Sequence, residues 1–175
     1  MNRLYFLVFI FFLLSFGQLS AQNVSNSYSV ERLDINSGGS EIAPIMLPNG
    51  LVFISNREDE IGVTRVSKLK SEPFFKVYFS RYTETGLGKP IKLAGDLNKR
   101  FSEGPASFSA DGKSVFFTRN IPLKFSTKTG KKARMGIYSG SFHDNIIDNI
   151  KEFPHNKADF SLGQPCLSPN GNFII

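Results

Sequence analysis

Few side chains in this 175-residue chain could do chemistry, and their spacing narrows what that chemistry would be. Glu41 and Glu103 lie three and two residues before Pro44 and Pro105. Acids recurring at one place in a repeat would share a face at the entry to a strand. A ring of carboxylates there would attract a cation or a basic peptide. The plainer reading is hydrogen bonding of each Glu to neighbouring loop amides, and the third occurrence, Gly163-Gln164, has no acid to add to a ring. His143 and His155 are the only histidines, and neither has a second ligand at a metal-binding spacing, so both read as loop or surface residues. Gly136-Ile137-Tyr138-Ser139-Gly140 has the wrong spacing for a nucleophile elbow. Gly130-Lys131-Lys132 lacks the upstream glycine and the hydroxyl residue of a phosphate-binding loop. Asn145, Asp148, Asn156 and Asp159 read as turn formers, because short polar side chains bond their own backbone. Cys166 is the only cysteine and is expected to be a buried, inert thiol on an inner strand. The sequence therefore assigns no catalytic, cofactor-binding or metal-binding residue and implies no cofactor.

Lys124, Lys128, Lys131, Lys132 and Arg134 cluster around Thr129-Gly130 as a basic hairpin tip. A solvated loop is the plainer reading. The sharper one is contact with anionic headgroups or acidic glycans. No nucleic-acid motif accompanies the cluster.

The elements that must position these residues come from a repeat. Pro44-Ile-Met-Leu47-Pro-Asn49-Gly50 returns as Pro105-Ala-Ser-Phe108-Ser-Ala-Asp111-Gly112 and as Pro165-Cys-Leu167-Ser-Pro-Asn170-Gly171. The prolines are 61 and 60 positions apart, and a fixed period marks a repeat architecture. Asn-Gly and Asp-Gly supply the positive φ that tight hairpins need. The runs after them (51–54, 115–118 and 173–175) are apolar, as in strands buried on both faces. Each proline is expected at a strand start, where a missing N–H costs little. Residues 76–80, 91–93, 136–139 and 147–153 add further strands, so one unit is about four strands in roughly 60 residues. Residues 28–33 stand where an outer strand precedes each later hairpin. They are expected to complete a distant blade and close a ring. An antiparallel β-sandwich would also give hairpins, but would not require the even proline spacing.

This hairpin resembles the WD-repeat-like β-propeller repeat of TolB. It is similar to the longer repeats of Bacteroidetes-type envelope proteins of the OmpA family, where a propeller commonly precedes a peptidoglycan-binding domain. The resemblance covers residues 28–175 and implies an all-β fold, a partial β-propeller of four-stranded antiparallel blades with about two and a fraction blades present. Blade 1 is expected over 40–95, blade 2 over 101–153 and the start of blade 3 over 161–175. A Ser-x-Asp-x-Gly turn of the sialidase kind is not matched, since Ser109-Ala110-Asp111-Gly112 lacks the spacer.

Residues 1–21 read as a secretory signal: Arg3, then an uncharged apolar stretch over 4–16, then Ser20-Ala21 before residues 22–175. The apolar run is shorter than the ~20 residues a spanning helix needs. The remaining chain would carry 20 Lys and Arg against 15 acids, a modest excess of +5. With a single cysteine no internal disulfide can form, so a core must hold the fold, built from the 13 Phe that remain. Two and a fraction blades cannot close, so these residues are expected to begin a longer protein.

Together these features imply a non-catalytic, exported envelope protein of the periplasm or outer membrane. It would be a propeller scaffold binding envelope proteins or glycans, without nucleic acid and with only indirect membrane association. An OmpA-like domain would lie beyond the chain. The alternative is a substrate-gating propeller of an exported peptidase or glycan hydrolase, with catalytic residues beyond residue 175.

Overall fold

The computed structural model describes residues 27–58, 73–98, 101–121, 134–157 and 159–175. Among them there are ten strands and no helix. The first sheet is a meander of β1 (Glu41–Leu47), β2 (Gly50–Ser55) and β3 (Lys76–Thr83). Its outer edge is β5 (Ile91–Lys92), while β4 (Gly86–Leu87) pairs only with the end of β3. The second sheet repeats the meander with β7 (Glu103–Phe108), β8 (Ser114–Ile121), β9 (Arg134–His143) and β10 (Ile146–Glu152). A third hairpin starts at Pro165 and holds one bridge, Leu167 to Ile174. The fold is all-β, a partial propeller with two four-stranded antiparallel blades and the start of another. Both sheets lie in one compact unit, residues 32–175.

One short strand departs from the expected blade 1 of 40–95. β6 (Ala94–Gly95) leaves the first sheet and pairs in parallel with Ile146 and Ile147 of β10. The two blades are thus stitched together at the outer edge. Residues 28–33 carry no strand, so the expected ring-closing strand has no partner among the described residues.

β2 is buried at all six positions, as its unbroken apolar run requires. Alternate residues serve two cores, because successive side chains point to opposite faces. Val52, Ile54, Val77 and Phe79 join Val115, Phe117 and Tyr138 of the second sheet. Leu51, Phe53 and Tyr78 face the other way and are covered by Ile35. Full burial of one such aliphatic or Phe side chain stabilises by about 1.5–3 kcal/mol. The core is less Phe-rich than composition suggests. Phe53, Phe79 and Phe117 are buried among mostly Val, Leu and Ile. The run at 173–175 is not buried as expected: Phe173 is 67% and Ile175 87% exposed, and Ile174 is half-buried.

Pro44 and Pro105 sit inside strands and not at their starts, while Pro165 lies in no strand, two residues before the Leu167 bridge. In β1 the register slips between Ile42 and Ile45, and in β7 between Glu103 and Ala106. Each slip is a β-bulge, where the ladder is already interrupted and proline removes no needed donor. The residue before each proline has positive φ: Ala43 at 50°, Gly104 at 94° and Gln164 at 57°.

The turns also divide differently from expectation. The second and third hairpins share a loop in which Ser109 or Ser168 bonds Asp111 or Asn170, with Gly112 and Gly171 at φ 69° and 71°. In the first hairpin Leu47 pairs with Gly50, so Pro48-Asn49 form the turn and Gly50 begins β2. Gly50 is there for close approach. A Cβ would lie 2.3 Å from the Ser80 carbonyl oxygen and 2.7 Å from the Phe79 ring. Gly50→Ala is therefore expected to cost about 3 kcal/mol through overpacking. Gly112→Ala, which meets open space, should cost only the ~1–2 kcal/mol of a left-handed residue. Urea midpoints of the two variants check this order.

Candidate functional site

The two repeated acids are found at matching places, but they do not form an open ring. Glu41 lies in β1 opposite Ser55 and Glu103 in β7 opposite Arg119. Each turns inward onto an arginine sixteen residues later.

In the first blade, Glu41 accepts from the Ser37 hydroxyl at 2.6 Å, the Ser55 hydroxyl at 2.9 Å and Arg57 at 3.1 Å. The Arg57 guanidinium also donates to the Ile35 carbonyl at 2.8 Å. It lies 5.1 Å from the Phe53 ring centroid and 4.9 Å from that of Tyr78, rings that stack on each other across the strands. Partial burial pushes the Glu41 carboxyl up. The Ser37 and Ser55 hydrogen bonds and the Arg57 charge outweigh it and hold Glu41 below the usual range.

The second blade repeats the arrangement more deeply. Glu103 is fully buried and accepts two bonds from Arg119, at 3.0 and 2.6 Å, and one from the Asn98 amide. Arg119 donates onward to the Asp96 carbonyl at 3.0 Å and lies over Phe101, Phe117 and Tyr138. Burial raises the Glu103 pKa above its ordinary value, more than Arg119, the Asn98 amide and Lys76 lower it. Burial likewise raises the Tyr138 hydroxyl, with Glu152 adding to it.

A third recurring element locks each blade. The Asn98 side chain accepts from Val77 N–H at 2.9 Å and donates to the Val77 and Leu93 carbonyls at 3.1 and 2.7 Å. Asn156 treats Ile137 in the same way, at 2.9 and 2.8 Å. Each amide thus bonds both main-chain groups of a third-strand residue, whose carbonyl also accepts from the N–H of Leu93 or Phe153.

These contacts replace the cation-attracting reading of the acids: Glu41 and Glu103 are engaged by loop amides and arginines. Sequence reasoning missed Arg57, Arg119 and Asn98. The signal was present, since Arg57 and Arg119 are 62 apart, as are Glu41 and Glu103.

A concave surface lies elsewhere, where the three repeat hairpins converge. A groove of about 460 Å³ is lined by residues 45–48, 106–112, Pro165 and Cys166. Its walls are mainly apolar, from Ile45, Leu47, Ala106 and Phe108. The Ser107 hydroxyl holds the third hairpin in place by accepting from Leu167 N–H at 3.0 Å. Met46 is 73% exposed, and the Tyr82 hydroxyl donates to its sulfur. Asp111, on the turn, is held below its ordinary pKa by the Ser109 hydroxyl and the Lys113 amide. Cys166 is exposed on the groove and not buried as expected. Pro165 before it takes the inward position, and successive residues of an extended chain face opposite ways.

The remaining candidates are scattered. His143 is exposed and bonds Asp148 at 3.0 Å. His155 is exposed beside the Phe153 ring. Ser139 lies within β9, opposite Phe116. Arg134 begins β9 opposite Ile121, while Lys124, Lys128, Lys131 and Lys132 fall outside the described residues, as does the segment 1–21. Among the described residues no group of three His, Cys, Asp or Glu is placed to hold a metal ion, and no helix is long and apolar enough to cross a membrane.

Comparison with family models, curated proteins and solved structures gave no match to this chain.

Proposed function

We propose that this chain is a non-catalytic binding scaffold of the bacterial envelope, exported by its leading segment, in which a TolB-like propeller presents a groove to an envelope protein or glycan. The observation that carries this reading is the groove of about 460 Å³ at the meeting of three hairpins. Pockets that take ligands are concave, mostly apolar and largely preformed. This one is walled by strands whose registers are fixed by bulges, and its rim carries the exposed Met46 and Cys166. The ionised side chains that recur in the repeat serve the scaffold, as Arg57 with Glu41 and Arg119 with Glu103.

The test is photo-crosslinking in the native host. Benzoylphenylalanine replaces Met46 in the native gene product, and cells are irradiated and fractionated. A discrete adduct with an envelope protein or glycan is expected, and Ala110→Trp, which narrows the groove, should abolish it. Recovery of the protein from the cytoplasm, or folded protein without an adduct, would overturn the proposal.

A further inference from the structure

We infer that Leu33-Asp34-Ile35-Asn36 is a docking hook for a further blade of this repeat within the native polypeptide, with Asn36 clamping the backbone of that blade's third strand. The inference rests on the blade architecture and is independent of the groove's ligand.

The chain shows the same hook twice, each time engaged. Leu93 N–H donates to the Val77 carbonyl at 3.0 Å, and Asn98 clamps both main-chain groups of Val77. Phe153 N–H donates to the Ile137 carbonyl at 3.0 Å, and Asn156 clamps Ile137. In both cases the hook follows the blade it clamps and comes before the next repeat's proline. The rule is positional: an outer-strand residue and then an Asn close one blade before the next begins.

Residues 33–36 satisfy that rule ahead of the first blade. Lys92-Leu93, then Asp96-Leu97-Asn98, has its counterpart in Arg32-Leu33-Asp34-Ile35-Asn36. Ile35 is only 5% exposed, against Leu51, Phe53 and Tyr78 of the blade that follows, and Leu97 is 3% exposed in the core that the two blades share. The repeat arginine reaches the same short segment, one position apart: Arg57 donates to the Ile35 carbonyl and Arg119 to the Asp96 carbonyl, whose counterpart is Asp34. Asn36 N–H bonds the Leu33 carbonyl at 3.0 Å, as Asn156 N–H bonds that of Phe153 at 3.0 Å.

The clamp is what residues 33–36 lack. The Asn36 side chain makes no hydrogen bond to a described residue and is exposed. Leu33 is 48% exposed, whereas Leu93 is 2%. The third strands of the two blades, β3 and β9, already hold Asn98 and Asn156. The partner is therefore a third strand from another blade. It offers one residue with open N–H and C=O groups, and strand addition to such an edge is a general mode of recognition.

Hydrogen exchange of the native gene product tests this. Amides of residues 32–36 should be protected, and Asn36→Ala should abolish their protection while β3 and β9 stay protected. Slow exchange of β3 and β9 with fast exchange of residues 32–36 in the unsubstituted protein would overturn the hook and leave the blades standing. Fast exchange of β3 and β9 themselves would overturn the blade architecture and the hook with it. Protection of residues 32–36 that Asn36→Ala leaves unchanged would also overturn the clamp.

Discussion

Replacing Glu103 with Ala should destabilise the fold by about 3–5 kcal/mol, the cost of leaving one partner of a buried ion pair alone. Arg119 is only 11% accessible and would keep its charge with no carboxylate beside it. The main-chain N–H of Asn98 would also lose its acceptor. Glu41→Ala should cost about 1 kcal/mol, because its side chain is 17% accessible and water can replace part of what is lost. Glu103→Leu combined with Arg119→Met should recover most of the loss, since well-packed apolar groups often match a buried ion pair. Urea unfolding followed by far-ultraviolet circular dichroism measures all of these. Equal losses for Glu41→Ala and Glu103→Ala would refute the burial argument.

The two acids should also respond to pH with opposite signs. The folded pKa of Glu41 lies below its ordinary value of 4.5, so its contribution is present above 4.5 and is lost as pH falls through the lower folded value. That of Glu103 lies above 4.5, so the extra stability of its protonated form is complete below 4.5 and is lost as pH rises through the raised value, leaving the ionised pair with Arg119 above it. Glu103→Gln should therefore flatten the pH dependence above 4.5 and leave the acid limb from Glu41 in place.

Replacing Asn98 with Asp should rank next, at about 3 kcal/mol, although the shape is unchanged. Asp keeps the acceptor for Val77 N–H but loses both donors, so the Val77 and Leu93 carbonyls face a carboxylate instead of an amide. A buried acceptor left unpaired costs about 1–3 kcal/mol. Asn98→Ala should be similar, because it also abandons Val77 N–H. Opening should begin at β5, which is two residues long and has little else to hold it. Exchange of the Val77 and Leu93 amides, read by mass spectrometry, locates it. A change within about 0.5 kcal/mol, the range of ordinary surface substitutions, would show that the clamp does not hold the edge.

The repeat was legible in the chain because turn chemistry and apolar runs are local. Even proline spacing and the runs at 51–54 and 115–118 led to two meanders, and β2 and β8 are where those runs placed them. Residues 91–93 and 147–153 were likewise readable as outer strands, realised as β5 and β10. The prolines misled, because a bulge inside a strand and a strand start both tolerate a missing N–H, and sequence cannot tell them apart. Gly50 misled in a similar way. An Asn-Gly pair advertises positive φ, yet here the glycine serves contact with Ser80 and Phe79.

By itself the sequence determined what depends on near neighbours: an all-β chain, its hairpins and its period, with no disulfide possible within these 175 residues. Only the tertiary structure decided what depends on residues far apart. It turned Glu41 and Glu103 from a supposed open ring into pairs with Arg57 and Arg119, and it placed the Asn98 amide on Val77, 21 residues away. It also exposed Cys166 on a groove shared by three hairpins. The reason is physical. Hairpin signals act over a few residues of one backbone, whereas burial, ion pairing and concave surfaces arise only when separate strands are brought together.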